Sequence, residues 1–135
     1  MNATDDKAEV TRVLADYYKA FSTLNLQVIL PYYHQPCLLI SPQGVVAAPT
    51  GAQVATSFTP FIEGLRAKGY SRSELSKLQV QRLSATAALA TGVAVRYKSD
   101  GQELDRTGVT YLLQKSADGW KFAVVVFHDD TVSDT

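Results

Sequence analysis

The sequence predicts an α+β domain in which helices gathered towards the N-terminus are wrapped by a curved antiparallel sheet. Three observations carry this. Up to Gly69, apolar residues recur mainly at helical spacing; from Ser71 onward they alternate as in strands. The last third, Gly101 to Asp130, holds two long apolar runs either side of Asp118-Gly119, the strongest short-range hairpin signal. Helices and antiparallel strands that are segregated along a chain define the α+β class. A strongly bent sheet around helices makes a cone with an open mouth, a shape that holds ligands.

The first helix is expected over residues 6–22. Val10, Val13, Leu14, Tyr17, Tyr18 and Phe21 form one apolar stripe, with Lys7, Thr11, Arg12, Asp16 and Lys19 on the other side. Asp6 with Glu9 resembles a capping box, and Asp5 and Asp6 suit the positive end of the helix dipole. Tyr17 and Tyr18 bring hydroxyls that need partners, so the interior is expected to be semi-polar. A second helix is expected from Asn25 to Tyr33, with Asn25 as cap and Pro31 limiting its length.

Pro36 then favours extended backbone before it. Cys37–Ser41 reads as a strand, Pro42-Gln43-Gly44 as a turn and Val45–Ala48 as the return strand. Thr50 with Gln53 is a second capping box, opening a helix whose stripe is Val54, Phe58, Phe61, Ile62 and Leu65. Pro60 is expected to kink it or divide it in two, with Thr59 as a new cap.

Beyond Ser71, Leu78 and Val80 alternate with Gln79 and Gln81. A turn at Ser84-Ala85 leads to a strand over Ala87–Lys98, and Asp100-Gly101 turns the chain again. Gly92 among small residues suggests sharp curvature or a large neighbour packed against it. In the last third, Val109, Tyr111 and Leu113 share one face; Thr110 and Leu112 share the other. Phe122, Val124 and Val126 likewise oppose Ala123, Val125 and Phe127. Strands apolar on both faces need cover on both. The helices cover one face, and a second copy of the chain is the simplest cover for the other.

At 135 residues the chain is expected to form one domain, with residues 1–4 and 131–135 frayed. Apolar residues make up 46% and charged residues 19%, with 13 basic and 13 acidic side chains interspersed, which argues against nucleic acid as the main partner. No apolar run approaches the roughly 18 residues of a membrane span. The acidic start lacks the apolar core of a secretory signal, and the one cysteine, Cys37, has no partner in the chain. A reducing cytoplasm is therefore the expected location, with Cys37 a small buried hydrophobe.

The order of elements, together with the strings YYKAF, PYYHQPCLLISPQG and GWKFAVVVFHDD, resembles the nuclear transport factor 2-like superfamily, including SnoaL-like proteins. These strings span nearly the whole chain. The resemblance implies a cone-shaped α+β barrel of the cystatin-like type. It also implies a homodimer through the outer sheet face and a pocket between helices and concave face. The superfamily includes ketosteroid isomerases, polyketide cyclases, scytalone dehydratase, limonene epoxide hydrolase, non-catalytic transport adaptors and kinase association domains, so fold alone does not decide function. Its enzymes place an Asp or His against an apolar pocket. Here His34 and Gln35 stand where the isomerases carry an aspartate, and Asp105-Arg106 echoes the epoxide hydrolase arrangement.

The candidate site follows from residue chemistry. His34 and His128 are the two histidines, and an imidazole can give or take a proton near neutrality. His128 is either a proton carrier in the pocket or a strand-end residue bonded to a nearby carbonyl. His34 is either a turn-stabilising or entrance residue or a chemical one. Arg96 and Arg106 lie between apolar neighbours, so each either holds an anion in a cavity or faces solvent; for Arg96 a cross-strand bridge to Asp105 or Glu103 competes. In position, Arg96 resembles the pocket arginines of the association domains. Thr110 can offer a hydroxyl, and Tyr17, Tyr33, Phe58, Phe61 and Trp120 are core or pocket wall.

No phosphate loop, CxxC pair, nucleophile elbow or close metal-ligand spacing occurs, so no cofactor or metal is expected. Two readings remain. One is a small-molecule-binding protein, extending to an acid–base isomerase, cyclase or dehydratase that uses His128 with Arg96 on a hydrophobic or aromatic metabolite. The other is a non-catalytic dimeric binding or assembly module.

Overall fold

The computed structural model describes residues 3–130, with side chains from Asp5 onward. Helix α1 (Ala3–Ser22) buries the expected stripe, with Val10, Leu14, Tyr17, Tyr18 and Phe21 inside. It starts three residues before the expected cap and takes in Ala3 and Thr4; of the residues expected to fray, 1–2 and 131–135 lie outside the described residues. Asp6 and Glu9 therefore form no capping box. Asp6 turns inward to Arg82 Nε at 2.7 Å and Lys115 Nζ at 3.5 Å, and Glu9 accepts from Trp120 Nε1 at 3.2 Å. Ion pairing across the core outweighs local capping here.

Asn25 caps α2 (Leu26–Ile29), its Oδ1 accepting from Gln27 N at 3.0 Å. The helix is one turn, followed by a 3₁₀ turn over Leu30–Tyr32, and does not reach Tyr33 as expected. Pro31 brings no N–H to continue the ladder. Strand β1 (Tyr33–Ser41) accordingly begins four residues before Cys37, and turns into β2 (Gly44–Ala48). In α3 (Gly51–Ala67), Thr50 N donates to Gln53 Oε1 at 3.3 Å, as the capping box requires. Pro60 does not divide α3. The Thr59 hydroxyl donates to Ala55 O at 2.7 Å instead of capping a new helix, and the helix runs on to Ala67.

The meander consists of β3 (Tyr70–Arg82), β4 (Ala87–Lys98), β5 (Glu103–Ser116) and β6 (Gly119–His128). Gly119, at φ 104°, follows the tight turn joining β5 to β6, a conformation glycine reaches without strain. The six strands form one curved, unclosed sheet in the order β2-β1-β6-β5-β4-β3. The sheet is antiparallel except where β1 runs parallel to β6. The early strand thus closes against the last one, and the helices lie in the concavity.

Register decides which side chains meet the helices. Pairings Ala88↔Leu113, Ala90↔Tyr111, Gly92↔Val109 and Arg96↔Asp105 put these residues on the concave face. Between β5 and β6 the register slips, so Phe122 faces Leu113 whereas Val124 faces Leu112. This bulge separates Phe122 from Val124 and Val126, which simple alternation groups together. Phe122, Val125 and Phe127 point to the concave side, and Val124, Val126 and His128 to the convex side. Gly92 answers its expected role: a Cβ there would lie 2.8 Å from Leu75 Cδ1 and 2.9 Å from Ser76 O. Cys37 is buried on the concave side, and burial pushes its thiol pKa up, so it serves as a core hydrophobe. No helix among the described residues is long and apolar enough to cross a membrane.

Candidate functional site

A cleft opens between α1, α3 and the concave face of β4–β6. Its inner part, about 30 Å³, is floored by Ala94, Val109 and Tyr111 and roofed by Tyr17, Tyr18 and Phe21. Phe58, Phe61, Phe127 and Arg96 line both this inner part and an outer mouth of about 530 Å³. Leu39, Val46, Ser41, Gln43, Ser57 and Thr107 also line the mouth, so its wall is largely apolar with a few hydroxyls and one amide.

The phenols are paired. Tyr17 and Tyr33 share a short hydrogen bond, and Tyr18 meets Tyr111 at 2.7 Å. Phe122 anchors the cluster, stacked on Tyr111 at 4.6 Å between centroids and edge-on to Tyr17 at 4.7 Å. Burial dominates their acidity. It holds Tyr17, Tyr33 and Tyr111 well above the ordinary tyrosine value and pushes Tyr18 up to about 12, so all four stay protonated.

Arg96 is 8% exposed, yet its guanidinium has two partners. Nη1 donates to Asp105 Oδ1 at 2.8 Å across the β4–β5 pair, and the Phe61 ring lies over Cζ at 4.9 Å. The cross-strand bridge and the cavity position expected as alternatives are therefore both present. Asp105 orients a guanidinium that faces the cleft.

Of the sequence-predicted residues, Tyr17, Tyr33, Phe58, Phe61 and Arg96 converge here. The others do not. His128 follows Phe127 on β6 and so faces the convex side. Its Nε2 lies 2.9 Å from Thr110 Oγ1, and its Nδ1 2.8 Å from Asp129 O. Thr110, one residue from Val109 and Tyr111, shares that side and bonds onward to Thr91 at 3.3 Å. The expected pairing of His128 with Arg96 in one pocket is thus corrected by strand alternation: the sheet separates them.

Arg106 is also on the convex side, bridged to Glu103 through Nε at 3.0 Å. His34 lines a shallow outer groove of about 560 Å³ with Leu38, Ala47 and Val124, its Nδ1 2.9 Å from Pro36 O. Trp120 is on the concave side but at the Glu9 end of α1, away from the cleft, with Lys115 Nζ 5.7 Å from its ring.

Sequence reasoning missed Tyr18, Tyr111 and Phe127 as cleft residues. Tyr18 and Tyr111 carried a usable signal, a hydroxyl on a face otherwise wholly apolar. Phe127 carried none, because the bulge that turns it inward leaves no mark in the residue pattern.

Solved structures share this architecture. An NTF2-like protein with a cystatin-like fold from Novosphingobium aromaticivorans superposes with a TM-score of 0.76 at 13% identity, over 97% of this chain and 86% of that one. An NTF-2 like protein of unknown function from Shewanella oneidensis MR-1 gives 0.71 at 20% identity, over 95% and 100%. A ketosteroid isomerase-like protein from Erwinia carotovora atroseptica gives 0.68 at 17% identity, over 98% and 100%. At such identities the likeness is one of fold. No curated protein matches the chain in sequence. A family model does, described as NTF2-like protein (DUF6841), over residues 7–130. The helix-filled, half-open sheet is thus that of an NTF2-like protein, and the chain belongs to the family DUF6841.

Proposed function

We propose that this is a small-molecule-binding protein whose ligand occupies the cleft between the helices and the concave face. The observation that carries the reading is the continuity of a narrow, phenol-lined interior with a wide apolar mouth, with Arg96 at the junction. Ligand sites combine apolar walls with a few convergent polar groups in this way.

The walls favour binding over proton abstraction. Among the described residues lining the two parts of the cleft, the ionisable side chains are tyrosines and Arg96, and burial keeps the phenols protonated. They donate protons and do not take them. An isomerase, cyclase or dehydratase built here would draw its acid from a phenol and its carboxylate from Asp105, tied to the cleft through Arg96. The fold likeness to a ketosteroid isomerase-like protein is compatible with that version.

A protein-observed NMR screen with ring compounds tests the reading. Resonances of Phe58, Phe61 and Phe127 are expected to shift, and an Ala94→Phe variant that fills the floor is expected to lose the effect. Hits that leave these residues unmoved, or that bind the filled variant equally, overturn it.

A second reading concerns the convex face and is compatible with the first. Leu38 and Val45 are exposed there, and Ile40, Leu112, Val124 and Val126 are half-buried, while α1 and α3 pack on the other side. A second copy of the chain placed against this face would form a homodimer and cover that apolar surface.

A further inference from the structure

The inner part of the cleft has hydrogen-bond donors to spare, whereas the acceptors of Ser41, Gln43, Ser57 and Thr107 line the outer mouth. A phenol carries one proton, so in each tyrosine pair one hydroxyl donates and the other keeps a proton with no acceptor among the described residues. Arg96 adds five N–H bonds, and among the described residues Asp105 is the one side chain that receives from them. Ser73, the hydroxyl residue of the inner part, is already engaged with Tyr70 at 2.5 Å. Buried donors left unmet are costly, so the missing group is an oxygen acceptor.

Charge narrows the choice. Arg96 is a buried cation, and its positive charge acts on Tyr17, Tyr18 and Tyr111, partly offsetting the effect of burial on their acidity. Guanidinium and phenols therefore address one region. The bridge to Asp105 is one-pronged and its carboxylate is 42% exposed, so part of the guanidinium fork stays available for a second, planar anion. Shape narrows it further. An inner space of about 30 Å³ holds a head group of a few atoms, and the 530 Å³ mouth, walled by Phe58, Phe61 and Phe127, takes a flat apolar body.

We propose, resting on the binding role assigned to this cleft above, that the ligand is an aromatic monocarboxylic acid. Its carboxylate sits against Arg96 and the spare hydroxyl of the Tyr18–Tyr111 pair, and its ring lies in the mouth against Phe61.

Binding of 2-naphthoate, 2-acetonaphthone and methyl 2-naphthoate, measured by calorimetry and by NMR shifts at Phe58 and Phe61 at pH 7, tests this. The acid is expected to bind at least tenfold more tightly than the ketone or ester. In Arg96→Gln that preference is expected to vanish while ketone binding persists, which shows the variant folded; Arg96→Lys restores part of it. Tyr111→Phe is expected to weaken the acid several-fold and leave the ketone nearly unchanged. Equal affinity for acid and ketone, or an acid preference that survives Arg96→Gln, overturns the carboxylate assignment alone. If none of the three shifts the cleft resonances, the aromatic-acid assignment fails, and the binding role of the cleft is then judged by the wider ring-compound screen.

Discussion

The hydroxyl of Tyr18 on α1 meets that of Tyr111 on β5 at 2.7 Å, joining residues 93 apart in the chain. This contact and its Tyr17–Tyr33 counterpart make the helix–sheet interface a buried polar layer inside an aromatic one. Burial holds these four phenols above the ordinary tyrosine pKa, and it raises Tyr32 beside them as well.

The first prediction concerns alkaline stability. A tyrosine with a raised folded-state value stabilises the fold fully below its unfolded value of 10.0, and that contribution is lost as pH rises towards the folded value, about 12 for Tyr18. Between those limits Tyr18 alone accounts for about 2–3 kcal/mol. Unfolding midpoints in denaturant are expected to fall steeply above pH 10. Tyr18→Phe is expected to flatten that fall, and ultraviolet titration to find these four phenols un-ionised until the chain unfolds.

The second rests on Gly108. A Cβ at this position would lie 2.1 Å from Asp129 O and 2.5 Å from His128 Nδ1, because the end of β6 folds directly over it. Gly108→Ala is expected to cost about 1–3 kcal/mol, read as a lower melting temperature. Adding His128→Ala is expected to recover only part of the loss, since the backbone carbonyl remains.

Acid stability turns on Asp6. Its hydrogen bond to Arg82, aided by Lys115 and opposed by burial, holds its carboxyl below the ordinary 3.8. The sign is that of a depressed carboxylate: the contribution is full above 3.8 and is lost as pH falls through the lower folded value. Asp6→Asn is expected to lower stability at pH 7 and to remove part of the loss seen on acidification below pH 4. Equilibrium unfolding across that range checks it.

The convex face supplies the fourth. Val126→Glu places a charge on the apolar side facing away from the helices. If a second copy covers this face, the variant is expected to run as a monomer by light scattering with an unchanged circular dichroism spectrum. A native chain that is already monomeric at micromolar concentration removes the homodimer reading.

Much of this molecule is written in residue periodicity. The stripe from Val10 to Phe21 determines a helix and its buried face, and Asp118-Gly119 between two apolar runs determines the final hairpin, because both are local effects of spacing and backbone preference. Tyr17, Tyr33, Phe58, Phe61 and Arg96 were legible as cleft residues because large or charged side chains on an otherwise apolar face have few places to go. Tertiary structure alone decided the rest. Asp6 left its capping role for an ion pair with Arg82, 76 residues away. One inserted residue in β6 shifted the phase of the strand, sending Phe127 into the cleft and His128 to the opposite face. Strand alternation reverses with a slip of one position, and pairing partners set that slip, so no reading of a single strand locates it.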